Sequence, residues 1–254
     1  MSAEPPVLSV HGLRIGYEGR TVLENIDFEV ERGEVFVILG GSGCGKSTLL
    51  RTVIGLIDPL AGSVKVDGAE FLGADGAERV AVLRKFGVLY QSGALFSSMT
   101  LLENVSLPLE EFTSLPRDAI EIIARTKLRL VALDGFENHL PSEISGGMKK
   151  RAGVARALAL DPRILFLDEP SAGLDPITSA GLDRLILELR DALGTTMALV
   201  THELPSVFAV ADRCIVLEKE RRTIVARGKP SELRDASDDP YVRAFFRRET
   251  MAEV

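Results

Sequence analysis

The chain has 254 residues, 46% of them hydrophobic and 26% charged, a balance that excludes a disordered chain and allows one large domain or a core domain carrying an insertion. A formal net charge of −7 repels phosphate backbones and excludes general nucleic-acid binding. Two cysteines, Cys44 and Cys214, give no disulfide framework and no Cys/His cluster for zinc, and they suit a reducing cytosol.

Met1 to Val10 lacks the basic and apolar regions of a signal peptide. No run reaches the roughly 18 apolar residues of a membrane span, so work at a membrane would require another chain. Val7 to Tyr17 and Val22 to Val30 read as an antiparallel meander with a turn at Glu18-Gly19, and Gly62 to Gly68 adds hairpin character to this layer. Four short apolar runs then suggest strands buried on both faces of a largely parallel sheet: Val35–Leu39, Gly87–Tyr90, Ile164–Leu167 and Met197–Val200. Each ends in polar residues, and open α/β sheets bind ligands outside the carboxyl ends of their strands. The four ends therefore predict one shared site. Residues from about 92 to 160 are helical in pattern, with helices at Leu101–Leu109 and Arg117–Leu133, and read as an inserted subdomain. Asp175 and Pro176 start a helix whose buried face is Leu182, Leu185, Ile186 and Leu189, and Gly194 ends it. The tail from Pro230 reads as a short helix, an acidic turn at Asp238-Asp239-Pro240 and an amphipathic helix over Tyr241–Glu249.

The first strand leads into Gly40-Gly41-Ser42-Gly43-Cys44-Gly45-Lys46-Ser47, which fits G-x-x-x-x-G-K-[ST] in full. Glycines let backbone N–H groups turn inward around phosphates. The helix opened by Thr48-Leu49-Leu50 presents its positive end to the anion. Lys46 reaches the β and γ phosphates as a point charge, and the Ser47 hydroxyl suits Mg2+; the loop alone fits a GTPase, a kinase or a helicase. Cys44 occupies a variable position and reads as a loop residue.

A third strand ends at Asp168-Glu169. Asp168 fits a buried carboxylate near Mg2+, and Glu169 can accept a proton from the attacking water. His202 ends another strand, where a neutral imidazole can hydrogen-bond a γ phosphate. Gln91 ends the second, where it can ligate Mg2+ or orient water just before the helical insertion. Ser145-Gly146-Gly147-Met148 opens a further helix, with Ser145 as N-cap: a second anion-binding helix tip. One γ phosphate does not need two such sites in one chain. A head-to-tail pair resolves this, each Ser-Gly-Gly tip covering the nucleotide held by the other copy's loop.

Together these residues resemble the ATP-binding-cassette (ABC) ATPases over about residues 7–228. Gly40–Ser47 looks like Walker A, Gln91 like the Q-loop, and Ser145–Met148 like the family signature. Leu167–Pro170 looks like Walker B with its catalytic glutamate, Ser171–Asp175 like the D-loop, and His202 like the switch histidine. Tyr17 falls where the family stacks a ring on adenine. Ile144 and Met148 depart from the usual Leu-Ser-Gly-Gly-Gln, and Met148 puts an amide contact near the ribose in doubt. The resemblance implies an α/β P-loop fold. An ATPase domain would cover residues 1–228, combining a RecA-like core, an antiparallel β layer and the helical insertion. Residues 229–254 would form a helical tail.

Gln91–Phe96, Glu103-Asn104-Val105, Leu107-Pro108-Leu109, the Ser145–Arg151 segment and Asp239–Phe246 are similar to the lipid-transporting Mla branch. That similarity implies a homodimer on the cytoplasmic face of the inner membrane. Its partners would be an integral membrane permease, an MCE-type lipid-binding protein and a small regulatory subunit. Leu95, Phe96 and Met99 are expected to line a groove for the permease. Two rivals remain. One is an importer of another solute, an amino acid or ion, with the same motor. The other is a soluble cassette ATPase, whose long insertions, tandem cassettes and basic faces this chain does not show.

Overall fold

The computed structural model describes residues 5–17 and 20–249; the turn expected at Glu18-Gly19 lies outside them. The chain begins with β1 (Leu8–Tyr17) and β2 (Arg20–Val30), enters the core with β3 (Val35–Gly40), and turns into α1 (Lys46–Val53). It returns to the outer layer with β4 (Ala61–Val66) and β5 (Ala69–Glu70), then forms α2 (Gly76–Leu83) and β6 (Phe86–Leu89). The helical insertion follows as α3 (Leu101–Phe112), α4 (Arg117–Leu130) and α5 (Gly146–Ala157). The core resumes with β7 (Ile164–Asp168), α6 (Pro176–Leu193), β8 (Thr196–Val200), α7 (Leu204–Val210), β9 (Arg213–Glu218) and β10 (Thr223–Gly228), and the tail forms α8 (Pro230–Ala236) and α9 (Pro240–Arg247).

Two sheets result, ordered β2-β1-β4-β5 and β10-β9-β3-β8-β7-β6. The first is antiparallel. In the second, β9, β3, β8, β7 and β6 run parallel and β10 closes the edge antiparallel. Four strands of this sheet are legible as unbroken apolar runs. Arg213–Glu218, charged at both ends, and Thr223–Gly228, which carries Arg227, are not.

The pleat explains why the central runs lack alternation. Successive side chains point to opposite faces, and both faces are covered. On one face Val35, Val37 and Leu39 join Leu165, Leu167, Met197 and Leu199 under the helices of the insertion, α6, α7 and the tail. On the other, Phe36 and Ile38 join Ile164, Phe166, Ala198 and Val200 under α1 and the antiparallel layer. The helical insertion shares one hydrophobic cluster with the sheet: Leu101, Val105, Ile120 and Leu128 pack with β3 and β7 residues.

Local chemistry sets the helix ends. Thr100 and Glu103 form a reciprocal capping box at the start of α3. The Asp175 carboxylate accepts the N–H groups of Ile177 and Thr178 at the start of α6, and Gly194 ends that helix at φ 65°. Several expected boundaries move, and α3 continues past Leu109 to Phe112. The second insertion helix stops at Leu130, because Ala132 is left-handed at φ 58°. The last helix runs from Pro240 to Arg247 and ends where Arg248 is left-handed.

Candidate functional site

The site is built at the carboxyl ends of β3, β7 and β8, which the pairing of Ile38 and Asp168 with Val200 brings into line. β3 leaves the sheet at Gly40. A Cβ there would stand 2.5 Å from the Cys44 sulfur and 2.6 Å from the Leu217 carbonyl oxygen, so only glycine lets the loop close at this point. Lys46 is buried. Its Nζ donates to the carbonyls of Gly40, at 2.8 Å, and Gly41, at 3.1 Å, using two of an ammonium's three N–H groups. Gly45 is the left-handed N-cap of α1, whose first turn holds no acidic residue, so no side chain of that turn opposes an anion at its positive end. Ser47 and Thr48 stand in that first turn. Cys44 is buried, and burial pushes its thiol above the ordinary value, which keeps it protonated.

Across from this loop lie two carboxylates, both buried. Asp168 ends β7. Burial raises its pKa first, the charge of Glu169 adds to the rise, and the cations Arg51, Lys150 and Lys46 oppose it. Its Oδ1 is buried without a hydrogen-bond partner. Glu169 takes a left-handed backbone at φ 46°, an uncommon conformation for a residue other than glycine. Its N–H is held by the Val200 carbonyl at 2.8 Å, and its own carbonyl accepts Ala172 N–H at 3.2 Å. The turn aims Glu169 Oε1 at His202 Nδ1, 2.8 Å away. Glu169 Oε2 is buried and unpartnered. An unpartnered buried carboxylate oxygen is a costly group, and two sit side by side here. They suit a cation and a water proton respectively.

The structure brings Gly40–Thr48, Asp168, Glu169 and His202 together. Tyr17 lies at the same end of the antiparallel layer as the loop: it pairs with Arg20, and Val22 and Leu23 stand 3.0 Å from a Cβ position on Gly45. The Tyr17 ring is exposed. Gln91 is exposed just beyond β6, and its carbonyl oxygen accepts a bond from Lys150 Nζ.

Ser145, Gly146 and Gly147 are not drawn into this cluster. Ser145 Oγ accepts Met148 N–H at 3.2 Å as the N-cap of α5. Ser145 and Gly146 are exposed. A Cβ on Gly147 would meet Thr178 Cγ2 at 2.4 Å, so that glycine serves the packing of α5 on α6 inside the chain. A Cβ on Gly146 would meet Leu174 Cδ2 at 3.7 Å, so both glycines of the tip face Leu174 and α6 of their own chain. Asp175 is likewise occupied by its own helix, and bonds from Thr178 hold its carboxylate below the ordinary range.

The tail contributes residues that sequence reasoning missed. Gly41, Ser42, His202, Glu203, Phe245 and Arg248 line a cavity of about 440 Å3, large enough for a small ligand. Val242 and Phe246 bury the inner face of α9 in the sheet's core, and the Tyr241 hydroxyl lies 3.5 Å from a Cβ position on Gly41. The amphipathic pattern of α9 signalled a buried face but not the phosphate loop as its neighbour.

Phosphate chemistry is what these strand ends have in common, and it makes the chain a P-loop nucleoside triphosphatase. The chain belongs to the ABC transporter family, whose model matches residues 23–172, and is an ATPase of that class. It is 42% identical over 239 residues to the probable ribonucleotide transport ATP-binding protein mkl of Mycobacterium leprae, covering 94% of this chain and 68% of that protein. It is also 42% identical over 227 residues to the intermembrane phospholipid transport system ATP-binding protein MlaF of Escherichia coli K12, covering 89% of this chain and 83% of that one. Among solved structures, the dimeric post-hydrolysis cassette MJ0796 bound to ADP and Pi matches with a TM-score of 0.78 at 30% identity, covering 87% of this chain and 98% of that one. The cbiO1 subunit of a Clostridium perfringens ABC transporter complex matches with a TM-score of 0.82 at 30% identity, covering 90% of each chain. Among the described residues no helix is long and apolar enough to cross a membrane.

Proposed function

We propose that the chain is the motor of a lipid transporter, working as a head-to-tail homodimer at the cytoplasmic face of the inner membrane. Each ATP is held by Gly40–Ser47 of one copy, with Tyr17 against adenine, and is covered by Ser145-Gly146-Gly147 and the Asp175 loop of the other. The observation that carries the dimer is the α5 tip, an N-terminus with no acidic residue in its first turn whose Ser145 and Gly146 are exposed.

Hydrolysis uses groups already placed. Glu169 Oε2 accepts a proton from water as the water oxygen bonds to the γ phosphorus. The bond from that phosphorus to the β,γ-bridging oxygen breaks and ADP leaves. His202 holds Oε1 and so keeps Oε2 toward the water. Asp168 Oδ1, the Ser47 hydroxyl and the Gln91 amide are hard oxygen donors and fit Mg2+. When bound, the ion neutralises charge on the phosphates.

The permease would dock in a second cavity of about 610 Å3. Phe86, Tyr90, Phe96, Leu107, Pro108 and Phe112 give it apolar walls, and Phe96 is half exposed. Of the three residues expected to line it, Phe96 does, whereas Leu95 packs on the core and Met99 lies outside the lining. The lipid cargo and an MCE-type partner rest on the likeness to MlaF and on the Gln91–Phe96 and Ser145–Arg151 segments. The likeness to the probable ribonucleotide transport ATP-binding protein of Mycobacterium leprae supports a second reading, a ribonucleotide cargo. Detergent extraction of the native complex, with its subunits identified and its bound small molecules analysed, tests both. Co-purified phospholipid with an MCE subunit is expected, and bound nucleoside cargo without lipid would replace it. Purification without any membrane subunit would remove the transporter reading.

A further inference from the structure

Lys150 lies on α5, five residues past the Ser145 cap, and is buried. Its ammonium donates to the carbonyl of Gln91 and, at 3.0 Å, to the carbonyl of Glu169. These two carbonyls belong to different parts of the machine: Gln91 opens the loop that leads to the permease groove, and Glu169 carries the free carboxylate oxygen. A buried ammonium is costly unless it is hydrogen-bonded and faces opposite charge. Here both conditions hold, since the Asp168 and Glu169 charges oppose the lowering of its pKa by burial.

The same helix grips the loop a second time. Arg156 donates to the Ala94 carbonyl at 2.7 Å and the Gly93 carbonyl at 3.0 Å. Contact is close between these two points: a Cβ on Gly153 would stand 2.5 Å from Leu89 Cδ1 and 3.3 Å from the Gly93 carbonyl. α5 and residues 91–94 are thus joined at two cations. Only Lys150 also reaches β7's end, where Glu169 must be kept at φ 46° to point at His202.

We propose that Lys150 is a positioning residue for hydrolysis: its ammonium ties the Glu169 peptide to α5 and to the Gln91 loop, so that the aim of the Glu169 carboxylate follows the seating of α5. The inference rests on the reading of Glu169 as the base and of the α5 tip as the cover for the partner copy's nucleotide. It predicts that the carboxylate of one site is set through the helix that closes the other.

The test is steady-state ATP hydrolysis by the full chain carrying Lys150→Met, Lys150→Gln, Arg156→Met or Glu169→Gln. Lys150→Met, which keeps length but removes every donor, should lower kcat about 10- to 100-fold through misplacement of the base. KM for ATP should change by less than about threefold, because the phosphate loop is untouched. Lys150→Gln restores an N–H donor and should recover part of kcat. Arg156→Met loosens the loop without touching Glu169 and should keep kcat within about twofold. A Lys150→Met enzyme with kcat within about twofold of the unmutated chain overturns the proposal, as does an equal loss at Arg156→Met. If Lys150→Met does not fold, Lys150→Gln decides: kcat lowered at least about threefold at unchanged KM supports the role, and unchanged kcat removes it. Failure of both to fold assigns Lys150 to structure and overturns the proposal. Normal turnover in Glu169→Gln would sink the underlying reading instead, whereas an inactive Glu169→Gln beside an active Lys150→Met sinks this inference alone.

Discussion

The helices α1 and α5 both start at glycine-rich turns, and they are completed to different degrees. α1 starts behind Gly45, and its neighbourhood is finished: Lys46 is buried against the loop's carbonyls, two buried carboxylates face it, and His202 holds one of them. α5 starts behind Ser145 with its tip exposed, although the body of the same helix is buried and clamped by Lys150 and Arg156. Both N-termini lack an acidic residue in the first turn, so both can receive an anion. On the proposed reading one chain would carry one complete anion site and half of another, the half joined to the whole through α5.

Substitutions separate the two ends. The largest effect is expected at Glu169: Glu169→Gln should bind ATP and lose roughly 10²- to 10⁴-fold in turnover, read as phosphate release. With magnesium and ATP it should accumulate as a dimer in light scattering, and a strictly monomeric sample would break the comparison at its centre. Lys46→Ala removes a charged partner of the phosphates, worth about 1.5–3 kcal/mol, so ATP affinity should fall roughly 10- to 100-fold by fluorescent-nucleotide titration. Unchanged affinity would take Lys46 out of the site.

Ser145→Ala should act in the opposite sense. Loss of the cap costs about 1 kcal/mol of stability. Nucleotide affinity of the monomer should hold, while ATP-driven dimerisation and turnover fall several-fold, about the worth of one hydrogen bond. A parallel loss of monomer affinity would show that the α5 tip serves its own chain's nucleotide. The smallest effect concerns the tail behind the phosphate loop. The Arg221 side chain holds Asp239 below the ordinary carboxylate range, and Asp239 caps α9 through Tyr241 N–H at 2.8 Å. A depressed folded-state pKa gives stability that is present above the ordinary Asp value and lost as pH falls through the depressed one. Arg221→Met should therefore lower the unfolding midpoint slightly at pH 7, by about 1 kcal/mol or less for a pair this exposed. The gap should close as pH falls below the ordinary Asp value and through the depressed one. A gap that persists in acid would mean that packing, not the ion pair, holds the tail.

The phosphate loop was legible because its chemistry is local. Spacing within Gly40–Ser47 fixes which N–H groups turn inward, and the strand before it is an unbroken apolar run. Asp168, Glu169 and His202 were legible for a related reason, since each follows a strand whose ends the parallel sheet must align. Asp175 and Ser145 were readable as caps within their own turns. Lys150 was not readable as anything beyond a member of a basic cluster. Its partners stand 59 and 19 positions away in the chain, and nothing local distinguishes it from Lys149, which is only half-buried. Gly147 was read as room for a ligand, while the fold also needs it as room for Thr178.

By itself, then, the sequence determined the antiparallel meander, the four central strands, the caps at Ser145 and Asp175, the phosphate loop and the acid pair, because backbone sterics, side-chain periodicity and hydrogen bonds within a turn act over a few residues. The tertiary structure alone decided that α9 backs the phosphate loop, that β9 and β10 complete the sheet, and that one ammonium joins the Gln91 loop to Glu169. These depend on which distant surfaces exclude water together, and burial of that kind is a property of the packed chain rather than of any segment in it.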